Sequence, residues 1–338
     1  MERNEVIDFV IPWVNGDDPE WLNLKKAYPA DSQGIIRSDS SDERYCNWDN
    51  LQYWFRGVEK YAPWVNKIHF ITWGHLPEWL NESHPKLNIV RHEDFIPPVY
   101  MPTFNANTIE LNMHRIKGLS EHFVYFNDDM FILKKIDEKD FFRNGKPCDM
   151  LAFQPVVANP SNPVMSRIFM NNSLLLSRHF DKRSNVRSQP GSYFKPGYPP
   201  LYFVYNLMEL FFPLFTGFYN SHGPSAFCKK TFETLWEKEP EVLDSTCRHK
   251  FRGDDVNQYL VRDWQKLSKN FCPVNVNRML RYFDVSDNNE KLIKTIRMQS
   301  SKIICINDSN KKTDFDDMKD RINQTFALIF PEKSSFEK

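Results

Sequence analysis

Short apolar runs, each stopped by turn-forming residues, organise the first half of the chain. Val6 to Ile11 is the first, and it passes into Pro12-Trp13-Val14-Asn15-Gly16-Asp17-Asp18-Pro19. Lys67 to Thr72 and Leu87 to Val90 follow, Phe123-Val124-Tyr125 stops at Phe126-Asn127-Asp128-Asp129, and Met150 to Val157 reads as one more. Continuous apolar runs of this kind suit strands buried on both faces. Helical stripes lie between them. Leu51, Trp54, Phe55 and Val58 fall at i, i+3, i+4 and i+7, and Pro63 ends that helix. Asn107 to Lys117 sets Ile109, Met113 and Ile116 on one face. Strand alternating with helix predicts an α/β fold: a Rossmann-like, mainly parallel sheet with helices on both faces.

The second half reads differently. Residues 158–200 are rich in Asn, Pro, Ser and Arg and predict long loops. Beyond them the pattern is helix-rich. Cys228, Phe232, Leu235 and Trp236 share a face after Pro224, and Val256, Leu260, Trp264 and Leu267 form a stripe in a helix opened by Asp254 and Asp255. Lys302 to Ile306 predicts a late strand ending at Asn307-Asp308. Residues 29–43 predict a mobile loop over the site, and the polar residues after 330 a frayed tail. Leu201 to Tyr219 is apolar enough to approach one bilayer span, but Asn206, Glu209 and Pro213 interrupt it. A carboxylate at a bilayer centre is costly, so a buried helix pair or a surface-docking segment is expected in place of a span.

Composition narrows the function. Of 338 residues, Lys+Arg and Asp+Glu each total 44, so no global basic surface recruits nucleic acid and any anion site must be local. Cys46, Cys148, Cys228, Cys247, Cys272 and Cys305 form no CxxC pair. Scattered thiols, and an N-terminus without an apolar signal core, predict a cytoplasmic enzyme.

Four clusters stand where strands end or helices begin. Trp13-Val14-Asn15-Gly16-Asp17-Asp18 follows the first strand, a common nucleotide site in open α/β sheets, although a tight turn has the same composition. Asp128-Asp129 suits a hard divalent cation holding a diphosphate, although Asn-Asp-Asp is also ordinary turn chemistry. His222, before Gly223-Pro224, could take a proton near neutral pH; Arg252 offers a fork for phosphate oxygens; Asp254 and Asp255 also suit helix capping. Asn307-Asp308 is the fourth. Neither GxGxxG nor GxxxxGKS occurs. Together the clusters point to metal-assisted transfer of a phosphorylated group.

The same segments resemble the Stealth family, which includes bacterial capsular-polysaccharide hexose-1-phosphate transferases and the animal enzyme that begins the mannose-6-phosphate tag. Ile7 to Val10 with Trp13 to Trp21 is similar to its first conserved block. The second is carried by Val58 to Val65, Thr72 to Leu80, His92-Glu93-Asp94, Pro102 to Asn105, Ile109-Glu110, His114-Arg115-Ile116 and Asn127-Asp128-Asp129. His222-Gly223-Pro224 and His249 to Arg252 resemble the third, and Cys305 to Asp308 the fourth.

The resemblance implies a GT-A-like core and transfer of a hexose-1-phosphate, commonly N-acetylhexosamine-1-phosphate, from a UDP-sugar to a glycan hydroxyl. UMP leaves, a phosphodiester forms in capsular or surface polysaccharide, and Mg²⁺ or Mn²⁺ is the expected cofactor. Asp128, Asp129 and Asp255 would hold the metal, His222 would be the base and Arg252 would hold phosphate. Trp13, Val14, Asn15, Gly16 and Asp18 would line the nucleotide pocket. Arg44, Asn105, Glu110, Arg115, Asn307 and Asp308 would complete the substrate site. The family's second block usually opens Arg-Tyr/Phe-x-Asp; here Arg44-Tyr45-Cys46-Asn47 ends in Asn, with Asp49 nearby. The expected organisation is one catalytic domain over 1–330, with a nucleotide-sugar half at 1–157, a helix-rich half at 158–330 and a flexible tail at 331–338. The glycan acceptor could be lipid-linked, with peripheral contact through 201–219 at the inner face of the plasma membrane. A metal-dependent glycosyltransferase releasing UDP, or a non-catalytic carbohydrate-binding protein, are the alternatives.

Overall fold

A computed structural model describes residues 6–28, 47–286, 288–307 and 315–338. Arg44, Asp308 and the 29–43 loop lie outside the described residues.

The strands are β1 (Ile7–Trp13), β2 (Ile68–Thr72), β3 (Leu87–Arg91), β4 (His122–Tyr125), β5 (Met130–Ile132), β6 (Phe142–Arg143), β7 (Lys146–Asp149), β8 (Ser225–Cys228), β9 (Cys272–Pro273), β10 (Leu280–Asp284) and β11 (Ile303–Asn307). The main sheet has the order β3-β2-β1-β4-β8. Its first four strands are parallel, and β8 closes the edge antiparallel to β4. Two small sheets, β10-β11-β5 and β6-β7-β9, sit beside it and mix parallel with antiparallel pairing.

Parallel strands covered on both faces read as near-continuous apolar runs, and β2 is buried throughout, its His69 included. Phe9 and Ile11 of β1 pack into one core and Val10 into the other. The stripe Leu51, Trp54, Phe55 and Val58 of helix Leu51–Tyr61 lies in the first core. Gly57 lets that helix approach β5, because a Cβ there would stand 2.7 Å from the Ile132 carbonyl oxygen. The second core is covered by Ala106–Asn112, Pro163–His179, Lys229–Lys238, Pro240–Arg248 and Gln258–Leu267. Asp8, buried in β1, sits at the end of the sheet away from the carboxyl termini. It accepts from Asn66 Nδ2 (2.7 Å) and the Ser120 amide (2.8 Å) and lies 3.1 Å from His69 Nε2.

Several expectations are corrected. Residues 150–157 form no strand beyond a single bridge, Phe153 to Phe218. Side chains take two of the amides, Leu151 N donating to Tyr198 Oη (3.2 Å) and Phe153 N to Asn206 Oδ1 (2.8 Å), while Gln154 N and Val156 N donate to the carbonyls of Gly217 (3.3 Å) and Thr216 (3.1 Å). Residues 158–200 hold helices Pro163–His179, Lys182–Ser188 and Pro190–Tyr193. Asn162 caps the first with Pro163 in its first turn, and Val164, Ile168, Leu175 and Leu176 form its buried face. Ser225–Cys228 is a strand, so His222 lies in the loop before β8, not at a helix entry. The later helix begins at Gln258, three residues beyond Asp255, under an Asn257 cap. The stretch 331–338 is tied down: Glu337 pairs with Arg56 at 2.6 and 2.8 Å, and Phe336 is buried against Phe55.

The apolar 201–219 stretch inverts its expected polarity. Helix Pro200–Glu209 buries Asn206 and Glu209 and exposes Leu201, Val204, Leu207 and Met208; Leu210, Phe211, Phe212 and Leu214 beyond it are also exposed. Lys182 Nζ explains this by donating to Glu209 Oε2 (2.7 Å) and to the carbonyls of Glu209 (2.7 Å) and Leu214 (2.8 Å). Among the described residues, no helix is long and apolar enough to cross a membrane.

Candidate active site

The main sheet reverses its strand order between β1 and β4. From β1 the chain moves outward to β2 and β3, then returns to place β4 on the other side. In open α/β sheets this reversal leaves a crevice at the carboxyl ends of the two strands, the preferred ligand position. A cavity of about 290 Å³ lies there. Pro12 and Trp13 line it from β1 and Val14 from the residue just after, and Tyr125, Asn127, Asp128 and Asp129 line it from the end of β4. Asn47, Trp48, Thr103, Phe104, His92, His222, Arg252 and Asn307 are among its other walls.

The fold therefore brings Trp13, Val14, Asp128, Asp129, His222, Arg252 and Asn307 to one cleft. Asp128 and Asp129 form the turn between β4 and β5, which belong to different sheets. Asp128 keeps water contact by surface area although protein surrounds the cleft. That enclosure, then the like charge of Asp129, pushes its carboxyl up to about 7. Asp129 Oδ1 is buried without a hydrogen-bond partner among the described residues.

His222 is held at both ring nitrogens. Nε2 lies 3.2 Å from Asp129 Oδ2, Nδ1 lies 3.2 Å from Tyr259 Oη, and the Tyr282 ring stands edge-on at 5.8 Å. Partial burial opposes the imidazolium, but the Asp129 carboxylate outweighs it and the pKa is raised. The loop that carries His222 is anchored by Arg262, which donates to the Ser221 carbonyl (2.9 Å) while bound at 2.7 and 2.9 Å to buried Asp149. Arg252 lines the cleft with no hydrogen-bond or ion-pair partner among the described residues, and its charge acts on Glu110 buried behind the wall.

The remaining expected site residues are placed elsewhere. The loop after β1 is shaped by His75, whose Nε2 accepts from the Asn15 amide (2.7 Å) and whose Nδ1 lies 3.5 Å from Asp18. Asp18 caps helix Pro19–Lys26, and Asn15, Gly16 and Asp18 do not line the cavity. Asp255, expected as a metal ligand, is fully buried and does not line the cleft. Its Oδ2 accepts from Asn105 (2.9 Å), Asn107 (2.8 Å) and the Gly253 amide (3.1 Å), and its Oδ1 lies 2.6 Å from His249 Nδ1. Asn105 is thus scaffold beneath the cleft-lining Phe104 and Ala106. Glu110 is buried behind the wall between Tyr125 Oη (3.2 Å) and the Gln258 amide (3.4 Å). Arg115 lies over Trp236 at 4.9 Å, away from the cavity.

Asn47 lines the cleft, and its Oδ1 accepts from the Asp49 amide (3.0 Å). Asp49 itself pairs with Lys319 and does not stand in for a cleft carboxylate. Tyr259 and Cys305 were not anticipated as site residues. Cys305 Sγ lies 3.3 Å from Asp129 Oδ2, and only its place in the Cys305–Asp308 motif pointed toward the site.

The donor set fits a hard divalent cation. Two adjacent carboxylates repel one another, one of their oxygens is buried without a partner among the described residues, and oxygen ligands are what Mg²⁺ and Mn²⁺ prefer.

Comparison with known proteins identifies three conserved regions in the chain. Residues 5–32 match Stealth protein CR1, conserved region 1; residues 44–149 match CR2, conserved region 2; residues 294–338 match CR4, conserved region 4. The chain is 41% identical to the capsular polysaccharide phosphotransferase WcwK of Streptococcus pneumoniae over 100% of both chains. It is 35% identical to the receptor polysaccharide phosphotransferase WefC of Streptococcus gordonii, over 98% of this chain and 99% of that one. The solved galactosyltransferase LgtC, at 10% identity and a TM-score of 0.40 over 97% of this chain and 96% of that one, is too distant to bear on the fold. On the strength of three matched regions and full-length relatives, this chain belongs to the Stealth family.

Proposed function

We propose that the protein is a phosphotransferase that moves a hexose-1-phosphate from a UDP-sugar to a glycan hydroxyl in surface-polysaccharide synthesis. The observation that carries the reading is the convergence, over one crevice at the β1/β4 reversal, of an acidic pair, a histidine held at both nitrogens and an unpaired arginine. The family relatives named as polysaccharide phosphotransferases support it. N-acetylhexosamine-1-phosphate is the proposed group.

Trp13 and Val14 wall the nucleotide. Arg252 holds phosphate oxygens, countering their charge where it grows during transfer. His222 Nε2 takes the proton of the acceptor hydroxyl as its oxygen bonds the sugar-bearing phosphorus. The bond from that phosphorus to the bridging oxygen breaks, and UMP leaves with the electron pair. Asp128 and Asp129 would hold Mg²⁺ or Mn²⁺, whose chemistry when bound is to neutralise the diphosphate. Asn307 borders the acceptor side, its Nδ2 donating to Asp284 (2.8 Å).

The acceptor is proposed to be lipid-linked, with the cytoplasmic enzyme resting on the inner face of the membrane. The exposed row Leu201, Val204, Leu207, Met208, Phe211 and Phe212 supports contact there, Phe211 being 88% exposed. Arg183 and Arg187 are exposed on the adjoining helix, suited to anionic headgroups. A panel of UDP-sugars with Mg²⁺ tests the chemistry: UMP is expected, and UDP as the only nucleotide product would overturn it.

A further inference from the structure

We propose that Asp129, His222 and Cys305 form a second metal site, selective for a borderline-soft divalent ion of the zinc class, whose occupation shuts the active site. Three separate segments supply the donors: the turn after β4, the loop before β8, and β11. Asp129 Oδ2 lies 3.2 Å from His222 Nε2 and 3.3 Å from Cys305 Sγ, and the three donor atoms lie within 4.8 Å of one another. Zinc bonds of about 2.0–2.1 Å to N and O and about 2.3 Å to S give a tetrahedron with edges of roughly 3.3–3.6 Å. Two edges are therefore already close to length, and the nitrogen–sulfur edge is no longer than 4.8 Å.

The site shares Asp129 with the hard-cation position on Asp128 and Asp129 but differs from it in donor chemistry. Mg²⁺ takes oxygen; a thiolate with an imidazole selects zinc-like ions. The second nitrogen of His222 is fixed by Tyr259 at 3.2 Å, the arrangement that orients a ligating histidine. Asp129 Oδ1, buried without a partner among the described residues, is a further donor on the same residue. Three protein ligands leave a fourth position for water. The thiol proton is lost to solvent when the metal binds.

The inhibitory part rests on the phosphotransfer reading. An Nε2 lone pair bound to metal cannot accept the acceptor's proton, and Asp129 is drawn from its partner carboxylate. The binding part stands without that reading, so the two fail separately.

Cobalt(II), which binds zinc sites and absorbs, is the probe. Metal-free full-length protein titrated with Co²⁺ should develop a thiolate-to-cobalt charge-transfer band saturating at one equivalent. Zn²⁺ should abolish it and excess Mg²⁺ should not. Cys305→Ser should remove the band, and His222→Gln, with the thiol intact, should weaken Co²⁺ binding at least about tenfold. With Mg²⁺ present, Zn²⁺ should inhibit wild-type UMP release. Cys305→Ser and Cys305→Ala, each scaled to its own zinc-free rate, should need at least about tenfold more Zn²⁺. No band in the wild type overturns the proposal and leaves a plain thiol–carboxylate hydrogen bond. So does a band that survives Cys305→Ser but vanishes in Cys272→Ser, since Cys148 and Cys272 are register partners on β7 and β9.

Discussion

Replacing Tyr259 with Phe should slow turnover without loosening substrate binding. The Tyr259 ring is buried and stacks on Phe169 at 5.7 Å, so phenylalanine keeps the packing and removes one hydroxyl. Burial raises the phenol's pKa, so it stays neutral and can accept from His222 Nδ1. That holds Nδ1 as the donor to Tyr259 and leaves Nε2, the nitrogen facing Asp129, as the one that exchanges its proton. As His222 takes the acceptor's proton it becomes charged, and a hydrogen bond to a charged group is worth about 1.5–3 kcal/mol. Losing it in the transition state lowers kcat by roughly ten- to 150-fold. KM for the UDP-sugar should stay near the wild-type value, and the fold should lose only about 0.5–1.5 kcal/mol, the worth of one neutral hydrogen bond. Steady-state UMP release with a urea melt measures both. Unchanged kcat in a folded Tyr259→Phe protein would refute the orienting role, and a raised KM with unchanged kcat would place Tyr259 in binding.

Three further outcomes follow from particular contacts. Arg252→Ala should weaken UDP-sugar binding and turnover together by about tenfold or more, with Arg252→Lys recovering only part, because lysine supplies the charge without the fork; full activity of the alanine variant would remove Arg252 from the phosphate site. Buried His92 and His114 have pKa values lowered to about 4 and about 3, by burial and then by the charges of His75 and Arg115 respectively. Their stability contribution is complete above the unfolded value near 6.5 and is lost as pH falls toward 4 and 3, roughly 2 kcal/mol each by pH 5. His114→Gln should therefore lose less stability than wild type between pH 7 and 5 in urea melts, and an identical loss would contradict the assignment. Phe211→Ser with Phe212→Ser should abolish flotation with anionic liposomes at low salt while leaving activity on a soluble acceptor; a wild-type protein that never floats argues against the membrane face.

The main sheet was legible because its parallel strands are short unbroken apolar runs ending in turn residues, and β1, β2, β3 and β4 follow those runs closely. The cleft was legible in part for the same reason: strand ends mark ligand positions, and Trp13 and Asp128-Asp129 stand on two of them. What depends on partners distant in sequence was not. Asp255 reads as an acid following Arg-Gly-Asp, but its role is set by Asn105 and Asn107, about 150 residues away. Arg115 is claimed by Trp236. Residues 225–228 look helical until β4 pairs with them. Tyr259 falls in an apolar helical stretch and carries no mark of its contact with His222. The inverted polarity of Pro200–Glu209 follows from Lys182 reaching across to Glu209, a contact that hydropathy cannot register.

Following the sugar-bearing phosphorus tests the central claim most directly. With a UDP-sugar labelled at that phosphorus, the label should appear in the glycan product as a phosphodiester while unlabelled UMP accumulates, and Asp128→Asn with Asp129→Asn should abolish both. Label that leaves with UDP, while bare sugar enters the glycan, would contradict the account.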